Sequence, residues 1–278
     1  MNQGAAMKAR AAIAVLALGL SGSARAAAPS IQMPPIQVLA AGSLSGAFTE
    51  LAKAYTAHSG TPVATSFGAS GLLLQRIEQG TPADVFASAN MVHPQTLTRE
   101  GKAGPTALFA RNALCGIARP DTHLTTAALL DRILDPSIKL GTSTPKADPG
   151  GDYAWAMFAK AEVVKPGARA TLETKALQLV GGPVEPAVPL GQNPIAYFLT
   201  TRQADVFLAY CSSGRAAGAG LETVALPAPL AVAGDYGIVA LRGPQETAAK
   251  DFTQYVLSPE GQAVLARYGL QPAAGSGN

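Results

Sequence analysis

The stretch IQVLAAGSL, residues 36–44, decides the fold, because an apolar run of strand length leads directly into small residues and a serine. The stretch PVATSFGASG, residues 62–71, repeats this construction. Each stretch predicts a buried strand followed by a helix, with Ser43 and Ser70 at the two N-cap positions. Apolar runs alternate with helical patterns along the rest of the chain, so that residues 113–118 are predicted to be a strand and residues 168–180 a helix. This alternation predicts an α/β fold with a mostly parallel sheet.

The two serines suit the binding of an anion. Small residues let a ligand approach the backbone, and a helix start offers unpaired N–H groups and a partial positive charge. The hydroxyls of Ser43 and Ser70 add donors, and adjacent parallel strands would bring both to one edge of the sheet. The alternative is plain capping, because serine is a preferred N-cap with or without a ligand. The pattern alone leaves both interpretations open.

Three further features have both a structural and a functional interpretation. The turn DPGGDY, residues 148–153, runs into a helix and could present backbone N–H groups, although it could be an ordinary turn. Tyr210 ends an apolar strand, where its phenol could donate to a ligand or cap the core. Cys115 and Cys211 are the two cysteines of the chain. In an exported protein this even count favours one disulfide over two separate thiols.

The sequence offers little for catalysis. Its three histidines, His58, His93 and His123, are scattered without metal-ligand spacing. No nucleophile elbow, P-loop or dinucleotide fingerprint occurs. The sequence therefore predicts a binding protein without a cofactor rather than an enzyme.

The N-terminal residues have the order of a secretory signal. Two bases, Lys8 and Arg10, precede an apolar run at residues 11–20 and the small-x-small pattern that ends at Ala26. Residues 1–26 are therefore predicted to be a signal peptide cleaved after Ala26, which implies a periplasmic protein. Removing Lys8, Arg10 and Arg25, the three bases of this segment, from the 21 Lys and Arg leaves 18 against 18 Asp and Glu. A balanced charge without a basic stripe argues against nucleic-acid binding.

With these motifs in order, the chain resembles the periplasmic molybdate-binding proteins of ABC transporters. The likeness covers nearly the whole mature chain and is most specific in its first ninety residues. It rests on residues 40–44, 67–71, 82–89 and 148–153, on the strand that ends at Tyr210, and on residues 258–261 and 267–270.

The resemblance implies a type II periplasmic-binding fold. Two α/β lobes, each a mixed and mostly parallel sheet flanked by helices, would be joined by two crossing strands. The first lobe would hold residues 27–114 plus 236–278, and the second residues 115–235. A ligand cleft between the lobes would close like a hinge.

The resemblance also implies the site. The implied oxyanion contacts are Ser43, Ser70, Gly150, Pro194 and Tyr210. A proline has no N–H to donate, so Asn193 is the alternative to Pro194. Asp148 and Asp152 flank the Gly150 turn, and we expect both to point away from a dianion or to be hydrogen-bonded elsewhere.

The implied ligand is molybdate, with tungstate nearly equivalent, so that molybdenum enters only as the bound oxyanion. Neutral donors favour an oxyanion that carries no proton at pH 7, because the hydroxyl of hydrogen phosphate would lack an acceptor. The implied partner is the membrane permease of an ABC importer, and the chain is expected to be a monomer. The alternatives are a sulfate, thiosulfate or other oxyanion binder, an oxyanion sensor subunit, or an enzyme on the same fold.

Overall fold

The structure is a computed structural model that describes Met1 and residues 34–273. The predicted signal peptide, residues 1–26, lies outside the described residues apart from Met1. Within the described part of the chain, no helix is both long enough and apolar enough to cross a membrane.

Ten strands in residues 34–273 form one sheet. They are β1 (Ile36–Ala41), β2 (Val63–Gly68), β3 (Val85–Ser88), β4 (Ala107–Ala118), β5 (Leu140–Ser143), β6 (Leu177–Val180), β7 (Val206–Tyr210), β8 (Glu222–Ala225), β9 (Ala233–Ala240) and β10 (Gln271–Pro272). The main order is β2-β1-β3-β9-β4-β7-β5-β6, and β8 and β10 pair with β4.

Helices connect the strands, because parallel strands need a crossover rather than a tight turn. They are α1 (Ser45–Ser59), α2 (Ser70–Glu78), α3 (Val92–Arg99), α4 (Leu129–Leu134), α5 (Pro149–Val164), α6 (Ala168–Lys175), α7 (Pro194–Thr200), α8 (Cys211–Ala217), α9 (Glu246–Leu257) and α10 (Pro259–Arg267). A 3-10 turn at Gly42–Leu44 joins β1 to α1.

The strand directions divide the sheet into two parts. Strands β2, β1 and β3 are parallel to one another, and so are β7, β5 and β6. Strand β4 joins the two parts: its residues from Ala107 to Ala113 pair antiparallel with β9, and those from Leu114 to Ala118 pair with β7. Strand β9 pairs in turn with β3. This arrangement confirms the predicted two-lobed α/β fold with two crossing strands.

Each part of the sheet packs its own hydrophobic core. The first core gathers residues of β1, β3, β9, α1 and α9, with Phe48 edge-on to Phe109 and Phe252. The second core gathers residues of β5, β7 and α4 to α6, including the buried Phe158. We call these parts the first and the second lobe. The limits 27–114 plus 236–278 and 115–235 stay a prediction.

One predicted element is wrong in part. The sequence pattern predicted a helix over residues 168–180, whereas α6 ends at Lys175 and residues 177–180 form β6. The residues LQLV alternate with the period of a strand, and hydrogen bonding to the edge of β5 outweighs the helical pattern. Helix α8 was not predicted, because CSSGRAA lacks apolar periodicity.

Candidate ligand-binding site

A cleft of about 900 Å³ lies where several strands end and the following helices begin. Residues of both lobes line it. They include Ser43, Asp148, Gly150, Asn193, Pro194 and Tyr210. Four of the five predicted oxyanion contacts therefore face one cavity, and Ser70 is the exception.

Ser43 lies in the 3-10 turn after β1 and lines the cleft. Its Oγ is 3.2 Å from the hydroxyl oxygen of Tyr236 on β9. The prediction that Ser43 is an N-cap is wrong. The turn is preceded by Ala41 and α1 by Leu44, and neither helix start has a side-chain cap. The inserted 3-10 turn displaces the serine from the capping position and directs its hydroxyl across to the crossing strand.

Ser70 is the first residue of α2, not its N-cap, so that prediction is also wrong. Ala69 holds the N-cap position in an extended backbone conformation. Ser70 is only 1% exposed, and its Oγ accepts a hydrogen bond of 3.1 Å from the N–H of Ala89. It does not line the cleft. Its contact with a ligand stays a prediction.

Gly150 belongs to the first turn of α5, and Asp148 caps that helix. The N–H of Gly150 donates to Oδ1 of Asp148 at 2.9 Å, so the predicted backbone donor already has an acceptor. We expected Asp148 to point away from a dianion or to be hydrogen-bonded; it lines the cavity, and its carboxylate is hydrogen-bonded to the N–H of Gly150. Aspartate is a favoured N-cap, and this capping bond holds it there. Asp152 is hydrogen-bonded elsewhere, as expected, and accepts from the N–H of Lys146.

Burial changes the acidity of Asp148. Desolvation, which penalises the charged form, raises the pKa of its carboxyl to about 6, although hydrogen bonds from the Gly150 N–H and the Ser143 hydroxyl lower it. The nearby carboxyls of Asp152 and Glu185 raise the pKa further. This carboxyl therefore titrates near neutral pH inside the cleft.

Asn193 and Pro194 lie side by side on the cleft wall. Pro194 is the first residue of α7, and Oδ1 of Asn193 caps the helix by accepting the N–H of Ala196 at 3.1 Å. Pro194 has no N–H, so it can contact a ligand only through its ring or carbonyl.

Tyr210 ends β7 and contributes the one cleft hydroxyl that is both buried and without a partner among the described residues. The side chain is 5% exposed, and its ring lies edge-on to those of Tyr153 and Tyr236, with centroids 6.0 and 5.5 Å away. Burial holds the pKa of the phenol well above its usual range, so the O–H keeps its proton. An unpaired buried donor costs about 1–3 kcal/mol, which an oxygen-bearing ligand would offset.

Two hydrogen bonds hold the lobes in contact beside the cleft. The hydroxyl of Tyr153 on α5 donates to the carbonyl of Ala89 at 3.0 Å. The N–H of Gly71 on α2 donates to the carbonyl of Ala147 at 2.9 Å. A Cβ at position 71 would lie 2.5 Å from the carbonyl oxygen of Lys146, so only glycine permits this approach.

A comparison with known sequences places these features in a family. Residues 36–271 match the family described as bacterial extracellular solute-binding protein. The chain belongs to this family. Its members bind solutes outside the cytoplasmic membrane, which implies a periplasmic location for this solute-binding protein.

Individual relatives support the same assignment. An uncharacterized protein of Pasteurella multocida is 40% identical over 180 residues, which are 64% of this chain and 74% of the relative. The molybdate-binding protein ModA of Escherichia coli is 26% identical over 245 residues, or 84% of this chain and 88% of ModA. The solved periplasmic molybdate-binding protein of Azotobacter vinelandii aligns with a TM-score of 0.68 and 20% identity over 84% of this chain and 98% of that protein. The predicted resemblance to periplasmic molybdate-binding proteins is confirmed at the level of the fold.

A polar network that sequence reasoning missed borders the cleft. Asn112 on β4 donates through Nδ2 to Oγ of Ser212 at 2.6 Å and to the hydroxyl of Tyr236 at 3.3 Å. Together with the contact between Tyr236 and Ser43, this network links the first lobe to α8 through both crossing strands. An asparagine in a mainly apolar strand was the one available signal.

A disulfide joins the crossing strand β4 to the start of α8. Cys115 and Cys211 form this bond, with their Cα atoms 4.9 Å apart. Because Cys211 directly follows Tyr210, the bond anchors the chain next to the unpaired hydroxyl. Within residues 34–273, no group of three or more His, Cys, Asp or Glu side chains is placed to hold a metal ion.

Proposed function

We propose that this solute-binding protein captures a tetrahedral oxyanion, molybdate and also tungstate, and delivers it to the membrane permease of an ABC importer. It would act as a monomer, without a cofactor and without catalysing a reaction. The observation that carries the proposal is the hydroxyl of Tyr210, which is buried at the cleft and lacks an acceptor. The likeness to ModA, which is named as a molybdate-binding protein, supports the choice of ion.

The cleft would hold the ion with neutral donors. Tyr210 and Ser43 line the cavity from opposite lobes, so one ion held by their hydroxyls would bridge the lobes. Such donors act strongly in a water-poor cleft, where the local dielectric is low. Closure of the lobes around the ion would be the signal that the permease reads.

The variant Tyr210→Phe tests the proposal, because it removes only the unpaired hydroxyl. We expect molybdate binding, measured by isothermal titration calorimetry, to weaken by about 1–3 kcal/mol, while the free energy of unfolding stays constant or rises slightly. Tyr255→Phe on α9 is the matched control, since that phenol lies outside the cleft and should leave both quantities unchanged. Equal affinity in Tyr210→Phe and the wild type would remove Tyr210 from the site and the main support for the proposal.

A larger anion is the second candidate, and the size of the cleft favours it. A cavity of about 900 Å³ lies near the top of the range of roughly 300–1,000 Å³ that is usual for organic ligands, and exceeds the need of one tetrahedral ion. Arg215 also lines the cleft and makes no ion pair within residues 34–273, so it could meet a second charged group. Titration of molybdate, tungstate, sulfate and a small phosphate ester against the same protein decides between the candidates. Preference for sulfate would keep the fold and change the ion, and preference for the ester would support the larger ligand.

A further inference from the structure

Asp148 places a hydrogen-bond acceptor at a fixed position in the cleft, next to the proposed donors. Its Oδ1 accepts the N–H of Gly150, and the side chain lines the cavity beside the proposed oxyanion position. Among residues 34–273, no Lys or Arg forms an ion pair with its carboxylate. The residue therefore combines a fixed position with a charge that no base pairs.

The groups that face Asp148 cannot neutralise it. From its own helix, Asp152 and Tyr153 approach it; Glu185 follows β6, and Tyr210 lies at the end of β7. All four are acidic or neutral, and the Ser143 hydroxyl at the end of β5 adds only a neutral donor. Because like charges repel strongly at short range in a low dielectric, a dianion beside an ionised Asp148 would be unfavourable.

We propose that Asp148 determines specificity by sharing one proton with the bound oxyanion, so that capture of a fully deprotonated dianion takes up a proton from solution. This inference rests on the proposed oxyanion function of the cleft. The proton adds to the carboxylate of Asp148, and the resulting O–H donates to an oxygen of the ion. Oδ1 continues to accept the N–H of Gly150. The carboxyl thus changes from a repelling charge to an additional donor.

The same arrangement admits an oxyanion that brings its own proton. Hydrogen phosphate would donate its O–H to the ionised carboxylate of Asp148, and no proton would be taken up. In both cases one proton lies between Asp148 and the ion. This differs from the donor-only site implied by the resemblance, in which a protonated oxyanion has no acceptor.

The sign of the pH dependence of molybdate affinity follows from the pKa of Asp148. The pKa of Asp148 is about 6 without ligand, and a dianion raises it further. Below pH 6 the carboxyl already holds the proton, so affinity is independent of pH. Above pH 6 each bound dianion takes up a proton, and the Kd for molybdate rises by up to about tenfold per pH unit.

Calorimetry with molybdate at pH 6, 7 and 8, in buffers of different ionisation enthalpy, measures both the Kd and the proton uptake. We expect the wild type to take up close to one proton at pH 8 and to bind about tenfold more weakly than at pH 7. Asp148→Asn keeps an oxygen to cap Gly150, and its binding should be independent of pH, without proton uptake. Asp131→Asn, whose parent carboxyl pairs with Lys165 on the surface and lies outside the cleft, is the matched control and should keep the wild-type dependence.

The outcomes separate this inference from the proposed function. Wild-type binding without proton uptake, or an unchanged pH dependence in Asp148→Asn, would overturn the role of Asp148 and leave oxyanion binding intact. Absence of binding heat for every oxyanion in the wild type would instead overturn the proposed function. The wild-type proton uptake needs no variant, so the test stands even if Asp148→Asn folds poorly.

Discussion

At the scale of the residue, the polar groups in and near the cleft differ in whether they already have hydrogen-bond partners. Ser70 accepts from Ala89, Asp148 accepts from Gly150, and Ser43 meets Tyr236, whereas Tyr210 has no partner among the described residues. The sequence predicted the positions of these residues at strand and helix ends. It could not predict their partners, because Ser43 and Tyr236 are 193 positions apart and meet only through the tertiary fold.

We expect Ser43 to act in ligand binding and Ser70 to act in stability. Ser43→Ala removes a cleft hydroxyl and should weaken molybdate binding by about 1–3 kcal/mol with little change in stability. Ser70→Ala leaves the buried N–H of Ala89 without its acceptor and should lower the free energy of unfolding by about 1–3 kcal/mol, with the protein still folded. Calorimetry measures the molybdate affinity of both variants and urea unfolding measures their stability, with the exposed Ser45→Ala as the stability control.

Two outcomes for Ser70→Ala decide the role of Ser70. Wild-type stability would contradict the buried structural role, and wild-type affinity would exclude Ser70 from ligand contact.

At the scale of the element, the strand-helix alternation predicted most of the structure correctly. The start of β1 and its end at Ala41 agree with the sequence pattern. Strand β4 is longer than the predicted residues 113–118, because its first half pairs with β9, which is distant in sequence. The failures at β6 and α8 have the same cause. Short elements with weak periodicity take their structure from the neighbour they pack against.

The disulfide is expected to stabilise the element that follows Tyr210. It closes a loop of 96 residues between Cys115 and Cys211, and loops of this length give a stabilisation of about 4–5 kcal/mol in the chain-entropy account. We expect a reducing agent to lower the free energy of urea unfolding by about 2–5 kcal/mol. The double variant Cys115→Ala with Cys211→Ala controls for other effects of the reductant and should not respond to it. An equal response of the double variant and the wild type would contradict the assignment.

At the scale of the whole molecule, both crossing strands carry part of the site. Asn112 and Tyr236 lie on β4 and β9 and connect the cleft to both lobes. The predicted two-lobed fold was derivable from sequence only through the family resemblance, since strand pairing between distant segments leaves no local pattern. The hydrogen bond between Gly71 and Ala147 could not be predicted from the sequence, because it depends on the backbone positions of both lobes.

Gly71→Ala should hinder lobe closure. Its Cβ would meet the carbonyl oxygens of Lys146 and Ala147 at 2.5 and 2.7 Å, and such overpacking costs about 1–3 kcal/mol in the closed arrangement. We therefore expect weaker molybdate binding by calorimetry and a larger radius of gyration by solution X-ray scattering in the presence of ligand. Gly243→Ala is the matched control, since its Cβ would meet no atom within 4 Å. Unchanged affinity and radius in Gly71→Ala would show that this contact does not form part of closure.

The most direct test of the proposed function is X-ray diffraction from crystals grown with molybdate, recorded at the molybdenum absorption edge. The proposal predicts one anomalous peak in the cleft, with oxygens of the ion within roughly 2.5–3.2 Å of the hydroxyl oxygens of Tyr210 and Ser43. A peak outside the cleft, or an empty cleft at saturating molybdate, would contradict it.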